Sequence, residues 1–214
     1  MGELSELSDK DADVEGVAGR VLENEDVLPE LLEGVLSRKD TMRFNSFKVL
    51  MLLSEEHPEL LYPDKWDFFA DLTGSDNTYH KYIAIYILAN LTRVDTEHRF
   101  ESIFDDYYDL LDDKSVIPPS HLARNSGKIA LARPRLQTRI ADRLLGVHET
   151  HHRPDRKELI KSYAIEGFDA YFEEADDKER ITEFVSLQLE SGSPKTRKAA
   201  KRFLKKWEIP FADK

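Results

Sequence analysis

The chain has 214 residues, 34% of them charged and 40% apolar, with 10% aromatic; that is too much apolar and aromatic material for a disordered chain, and the charge demands a large solvated surface. It has no cysteine, which excludes a disulfide scaffold, a cysteine nucleophile and thiolate metal sites. No apolar run approaches the roughly 18 residues of a membrane span, and the net charge of −11 argues against a general nucleic-acid binder, because polyanions favour basic faces.

In chain order, residues 1–12 are acidic, lack the basic start and apolar core of a secretory signal, and read as a flexible tail ahead of a domain over 13–214. A cytoplasmic address follows as the default. Val27, Leu28, Leu31, Leu32, Val35 and Leu36 then recur at three- and four-residue spacing, the stripe of an amphipathic helix. After Ser37–Asp40 a second apolar stretch runs from Phe44 to Leu53. Pro63 stands at a first-turn position ahead of Trp66, Phe69 and Leu72. Gly74-Ser75-Asp76-Asn77 breaks the chain and Tyr82–Leu91 resumes it.

The next stripe is Phe100, Ile103, Phe104, Tyr107, Leu110 and Leu111. Pro118-Pro119, Pro134 and Pro154 interrupt the pattern until Ile160, Tyr163, Ala164, Phe168, Tyr171 and Phe172 restore it. Ile181, Phe184 and Val185 form a shorter stripe before Ser191-Gly192-Ser193-Pro194. Nothing alternates as a strand does, and no Asn-Gly or Asp-Gly hairpin signal occurs. The expectation is an all-α protein of roughly ten helices. Polar starts at Asp40, Asn77, Ser120, Asp155 and Ser193 fall 37, 43, 35 and 38 residues apart, the period of a stacked helix pair.

Two stretches carry a family resemblance. Ser193-Pro194-Lys195-Thr196-Arg197-Lys198-Ala199-Ala200-Lys201-Arg202-Phe203-Leu204 resembles the second helix of a HEAT repeat: a polar or proline start, a basic residue, a small pair, then a large apolar residue. Ala84–Leu91 is similar to the third helix of an armadillo repeat, with Tyr86 where that family usually has tryptophan. The resemblance implies a right-handed α-solenoid of about five HEAT- or armadillo-like helix pairs. It also implies a peptide groove beside Tyr86, because an armadillo asparagine at the place of Asn90 hydrogen-bonds an extended partner. Asn90 has no second rung, since the aligned residue in the preceding repeat is Leu52.

Charge is unevenly spread. Lys195–Lys206 holds seven basic residues and no acid, whereas the first forty residues hold twelve acids and four bases. Arg197, Lys198, Lys201, Arg202 and Lys205 are therefore candidate partner-binding residues together with Tyr86 and Asn90. Basic residues also recur near the starts of second helices (Arg43, Lys81, Arg124, Lys157, Arg197), where they read as an internal ladder with acids such as Asp40, Asp76 and Asp112.

The sharpest chemical motif is His148-Glu149-Thr150-His151-His152, an H-E-x-x-H string, with Glu173 and Asp177 downstream as a conceivable further ligand pair. Three features weigh against it. The string runs into Arg153-Pro154-Asp155, proline disfavours helical geometry at Arg153, and the intervening Thr and His are not the apolar residues of zinc proteases. A di-iron site like that of HEAT-repeat hydroxylases fails because one His-Glu pair supplies too few ligands. No phosphate-binding glycine loop is present. The expectation is thus no catalytic residue, no cofactor and no metal, and a non-enzymatic scaffold or adaptor that binds a protein partner along one solenoid face. The alternative is a DNA-contacting protein like HEAT-repeat alkylation-repair glycosylases, with Trp66, Asp67, Trp207 and the last basic helix toward the duplex.

Overall fold

The computed structural model describes residues 4–211. Among them there is no strand. Helices α1 (Val14–Glu23), α2 (Leu28–Val35), α3 (Asp40–Glu56), α4 (Trp66–Thr73) and α5 (Thr78–Leu91) are followed by α6 (Arg99–Asp109), α7 (Ile117–Ala132), α8 (Gln137–Leu145), α9 (Pro154–Tyr171), α10 (Lys178–Leu187) and α11 (Pro194–Lys206), with short 3-10 turns between several of them. No helix among the described residues is long and apolar enough to cross a membrane. Packing divides the chain into two compact units, Met1–Glu97 and His98–Lys214, where periodicity alone read one domain over 13–214.

The helix boundaries follow local chemistry. Asn77 and Ser193 are N-caps, their side chains accepting from the backbone N–H of Tyr79 and Thr196 at 2.9 and 3.3 Å; a cap of this kind is worth about 1 kcal/mol. Ser120 is not a helix start. α7 begins earlier, at Ile117, because Pro118 and Pro119 occupy its first turn, where a missing N–H costs nothing. The starts of α3, α5, α7, α9 and α11 therefore fall 38, 39, 37 and 40 residues apart, more evenly than the polar breaks suggest.

In the first unit, α1 and α2 pack on α3, α3 on α5, and α4 on α5, burying Val17, Leu31, Leu50, Phe69 and Ile87 completely. The span read as a flexible tail is tied down over residues 4–9; residues 1–3 lie outside the described residues. Leu4 and Leu7 are buried, and the Asn45 amide donates to the carbonyls of Leu7 and Asp9 at 3.1 and 2.8 Å. An amide on α3 thus satisfies two main-chain acceptors that would otherwise be lost from water.

In the second unit the tightest packing is α7 against α9. Gly127 and Gly167 face each other there: a Cβ on Gly167 would stand 2.2 Å from the Ala123 carbonyl oxygen, and one on Gly127 would stand 2.6 Å from the Gly167 carbonyl oxygen. Only hydrogen fits at this crossing. α11 packs on α9 and α10. Phe172 meets Phe203 and Trp207 at ring separations of 4.8 and 5.1 Å, and Tyr108 donates to Ser126 at 3.0 Å inside the core.

Two glycine substitutions separate packing from propensity. Gly167→Ala is expected to destabilise the protein by about 2 kcal/mol, because overpacking against backbone outweighs the gain in helix propensity. Gly19→Ala on α1, where an added Cβ meets nothing within 4 Å, should stabilise by up to about 1 kcal/mol. Urea unfolding midpoints of the two variants are expected to move in opposite directions.

Candidate functional site

α11 is built to show one charged face. Thr196, Ala199, Ala200, Phe203 and Leu204 are buried, and the Thr196 hydroxyl donates to the Glu158 carbonyl of α9 at 2.7 Å. This fixes the rotation of the helix. Lys195, Lys198, Arg202 and Lys205 follow at steps of three, four and three residues and are all exposed, so they form one stripe along the opposite side. Lys195 lies over the Tyr163 ring at 3.4 Å. Among the described residues, Lys198, Arg202 and Lys205 make no ion pair.

The other basic residues of the segment are held inside the unit. Arg197 is half-buried and donates to the Ser191 carbonyl at 2.6 Å. Lys206 pairs with Asp169 at 2.9 Å, beside the Trp207 indole N–H, which donates to the same carboxylate at 2.8 Å. Lys201 is half-buried. Five basic side chains named from the sequence therefore divide into three that face outward unpaired (Lys198, Arg202, Lys205) and two that are partly withdrawn (Arg197, Lys201).

The face continues onto α9 and α7. The Tyr163 ring that carries Lys195 also stands 5.9 Å from the His121 ring, and Arg124 reaches Glu166 at 3.3 Å. Burial, then the Arg124 and Lys195 charges, hold His121 below the usual histidine range, so it is a neutral hydrogen-bonding group at physiological pH. Arg124 and Lys128 are exposed on α7, and Arg156 on α9. The exposed face of these three neighbouring helices is thus predominantly cationic in a chain of net charge −11.

The opposite charge pattern occupies α6, α8 and α10. Glu101 accepts from Arg135 at 2.8 Å, Arg139 lies 3.3 Å from Asp105, and Arg143 bridges Asp105 and Asp109 at 2.8 and 3.1 Å. Arg180 joins Asp142 and Asp177 at 2.7 and 3.0 Å. Arg139 also covers the Phe104 ring at 3.9 Å. These residues make an acid–arginine ladder, and two of the basic residues named from the sequence also meet acids. Arg43 pairs with Asp40 inside α3, Arg124 with Glu166, and Lys157 donates to the His148 carbonyl at 2.8 Å. The hydrogen bond from Arg143, with Arg139 beside it, holds the Asp105 carboxyl below the usual range, and Asp105 in turn raises Arg143.

In the first unit, Asn90 is buried and its amide donates to the Ser54 hydroxyl at 2.8 Å. It ties α5 to α3 and does not lie open to a peptide. Tyr86 is half-buried between Phe47 and Tyr82, at ring separations of 5.8 and 4.9 Å. Tyr79 and Phe44 are more than half exposed nearby, with Arg43 over Tyr79 at 4.6 Å and Lys48 over Phe44 at 4.5 Å. Tyr86 thus belongs to an aromatic patch of α3 and α5 that keeps an open side.

The H-E-x-x-H string does not form a helix. Gly146–Glu149 is a 3-10 turn and α9 starts only at Pro154, so His148 and His152 never share a helical face. His148 is exposed and His152 is buried. Glu173 and Asp177 serve α10: the Glu173 carbonyl accepts from Lys178 and Asp177 pairs with Arg180. Trp66 is buried in the first unit, and Trp207 is packed on Phe172 and Phe203, so both tryptophans act as packing residues. No protein-family model, curated protein or solved structure matches the chain.

The ladder sets a pH signature. Asp105 has its folded-state pKa lowered, so its contribution is complete above the ordinary aspartate value of about 4 and disappears as pH falls through the folded-state value. The difference in urea midpoint between the parent and Asp105→Asn is expected to hold steady from pH 7 to pH 5. It should close below about pH 4.

Proposed function

We propose that this chain is a non-enzymatic interaction module, an α-solenoid of HEAT or armadillo type whose α7–α9–α11 face docks an acidic segment of a protein partner. The supporting observation is the stripe of Lys198, Arg202 and Lys205, exposed and without an ion pair among the described residues. A chain this acidic has carboxylates to spare, and on α6, α8 and α10 its arginines are paired. Cations left unpaired on a face flanked by Tyr163 and His121 offer an anionic partner both charge and ring contacts.

The repeat architecture is supported by the offset at which side chains lock. Asn90 to Ser54 spans 36 residues, Arg135 to Glu101 spans 34, Arg180 to Asp142 spans 38 and Lys206 to Asp169 spans 37. Contacts recurring at one chain offset are what stacked helix pairs generate. A protein partner is favoured over duplex DNA because the cations without an ion pair among the described residues form a single row on α11 of an acidic chain, and Trp66 and Trp207 are packed rather than presented to a base.

The test is fluorescence anisotropy with a labelled Asp/Glu-rich peptide and, separately, random-sequence duplex DNA, at 50 and 150 mM salt. Peptide binding weakened at least tenfold in Lys198→Glu/Arg202→Glu/Lys205→Glu is expected, with no binding of duplex. The three side chains are exposed, so the variant should keep its helical circular dichroism. Salt-steep binding of duplex without binding of peptide would replace this function with nucleic-acid recognition.

A further inference from the structure

Asp112, His151 and His152 converge although 39 residues separate the aspartate from the first histidine. Asp112 closes the 3-10 turn that follows α6, and the histidines lie just before α9. Pro154 holds Arg153 extended, at φ −61° and ψ 153°, so the chain changes direction there instead of continuing as a helix. The Asp112 carboxylate accepts from the His151 backbone N–H at 2.7 Å and stands 2.6 Å from its Nδ1. The two imidazoles lie 4.5 Å apart, centre to centre. Each of the three residues offers one ligand atom, and these atoms all lie within 4.8 Å of one another.

His152 is the independent observation. It is 93% buried, since 7% of its surface is exposed. Nε2 of its ring is buried with no hydrogen-bond partner. An imidazole nitrogen held away from water and from any protein partner has its lone pair available to a metal. An unpartnered buried ring nitrogen otherwise carries a desolvation cost with no return.

We propose that Asp112, His151 and His152 form a binding site for one divalent transition-metal ion of the zinc class, a clip between the end of α6 and the entry of α9. Two imidazoles and a carboxylate are the donor set such ions prefer. Bonds of about 2.0–2.1 Å place donor atoms roughly 3.3 Å apart, which small rotations of the half-exposed Asp112 and His151 provide. The ion replaces the hydrogen bond between them, and the His151 Nδ1 proton moves to the Nε2 of the same half-exposed ring, leaving the Nδ1 lone pair for the metal. Asp112 also borders a surface cavity of about 560 Å³, lined with it by Glu149, Thr150 and Arg143.

The test uses the full, tag-free chain stripped with chelator and titrated with Zn²⁺ by calorimetry and by thermal unfolding at pH 7.5, with Mg²⁺ as comparison. One equivalent of Zn²⁺, a raised Tm and no response to Mg²⁺ are expected. His151→Gln and Asp112→Asn should each weaken Zn²⁺ binding at least tenfold, and His148→Gln should leave it unchanged. Both altered side chains are about half exposed, and circular dichroism checks their folding; if Asp112→Asn does not fold, His151→Gln decides alone. Absence of saturable Zn²⁺ binding overturns the site. So does binding that survives His151→Gln or is lost in His148→Gln.

Discussion

The structure depends on burial that no helix can complete by itself. α11 has 13 residues, and an isolated helix of that length is marginal in water; it persists because Thr196, Ala200, Phe203 and Leu204 are covered by α9 and α10. α9 is held in turn by α7 through the Gly127–Gly167 approach, where the backbones meet without a side chain between them. That crossing fixes both the separation and the rotation of α7 and α9, and with them the direction in which His121, Arg124 and Tyr163 face. The cationic surface is thus a consequence of packing on the other side of the same three helices.

Charge in the second unit is divided by layer. The acids Glu101, Asp105 and Asp109 of α6, and the arginines Arg135 in the turn before α8 and Arg139 and Arg143 on it, each recur every four residues, and the two rows lie 34 residues apart along the chain. Each pair is exposed and individually worth little, on the order of 0–1 kcal/mol. Together they cancel charge along one layer and set the register of α8 on α6. On α11 the cations instead meet solvent. The local imbalance there is larger than composition suggests, because the arginines that could be mistaken for free charge are already paired elsewhere.

Much of this was legible in the residues. The apolar stripes, the Asn77 and Ser193 caps and the absence of strand signals together describe an all-helical chain. What failed was whatever depends on which helices become neighbours. Two acid and arginine rows at equal spacing are visible in the sequence, but their pairing requires knowing that α6 lies beside α8. The H-E-x-x-H spacing drew attention to His148 and His152 as a helical pair, whereas Pro154 ends any helix before it starts and brings His151 to Asp112 instead. Asn90, read through the armadillo resemblance as a peptide contact, instead donates inside the unit to Ser54, 36 residues away. Leu4 and Leu7, in a stretch that reads as acidic, gain their burial only once that stretch packs on α3 and its neighbours.

The unpaired stripe has a physical cost that bears on its meaning. Lys198 and Lys205 are seven residues apart, a rise of about 10.5 Å, comparable with the Debye length of about 8 Å at physiological salt, and Arg202 lies between them. Each neighbouring pair, Lys198 with Arg202 and Arg202 with Lys205, therefore repels within the range that salt leaves unscreened. Lys205, in the last turn, gains from the helix dipole. Lys198 and Arg202 sit away from that end and receive no such compensation. A carboxylate-bearing partner laid along α11 would relieve the repulsion at all three positions at once. The relief is small at each position, since like charges on an exposed helix face cost about 0.2–0.5 kcal/mol per pair, and it is felt more in the salt dependence and rate of association than in its strength.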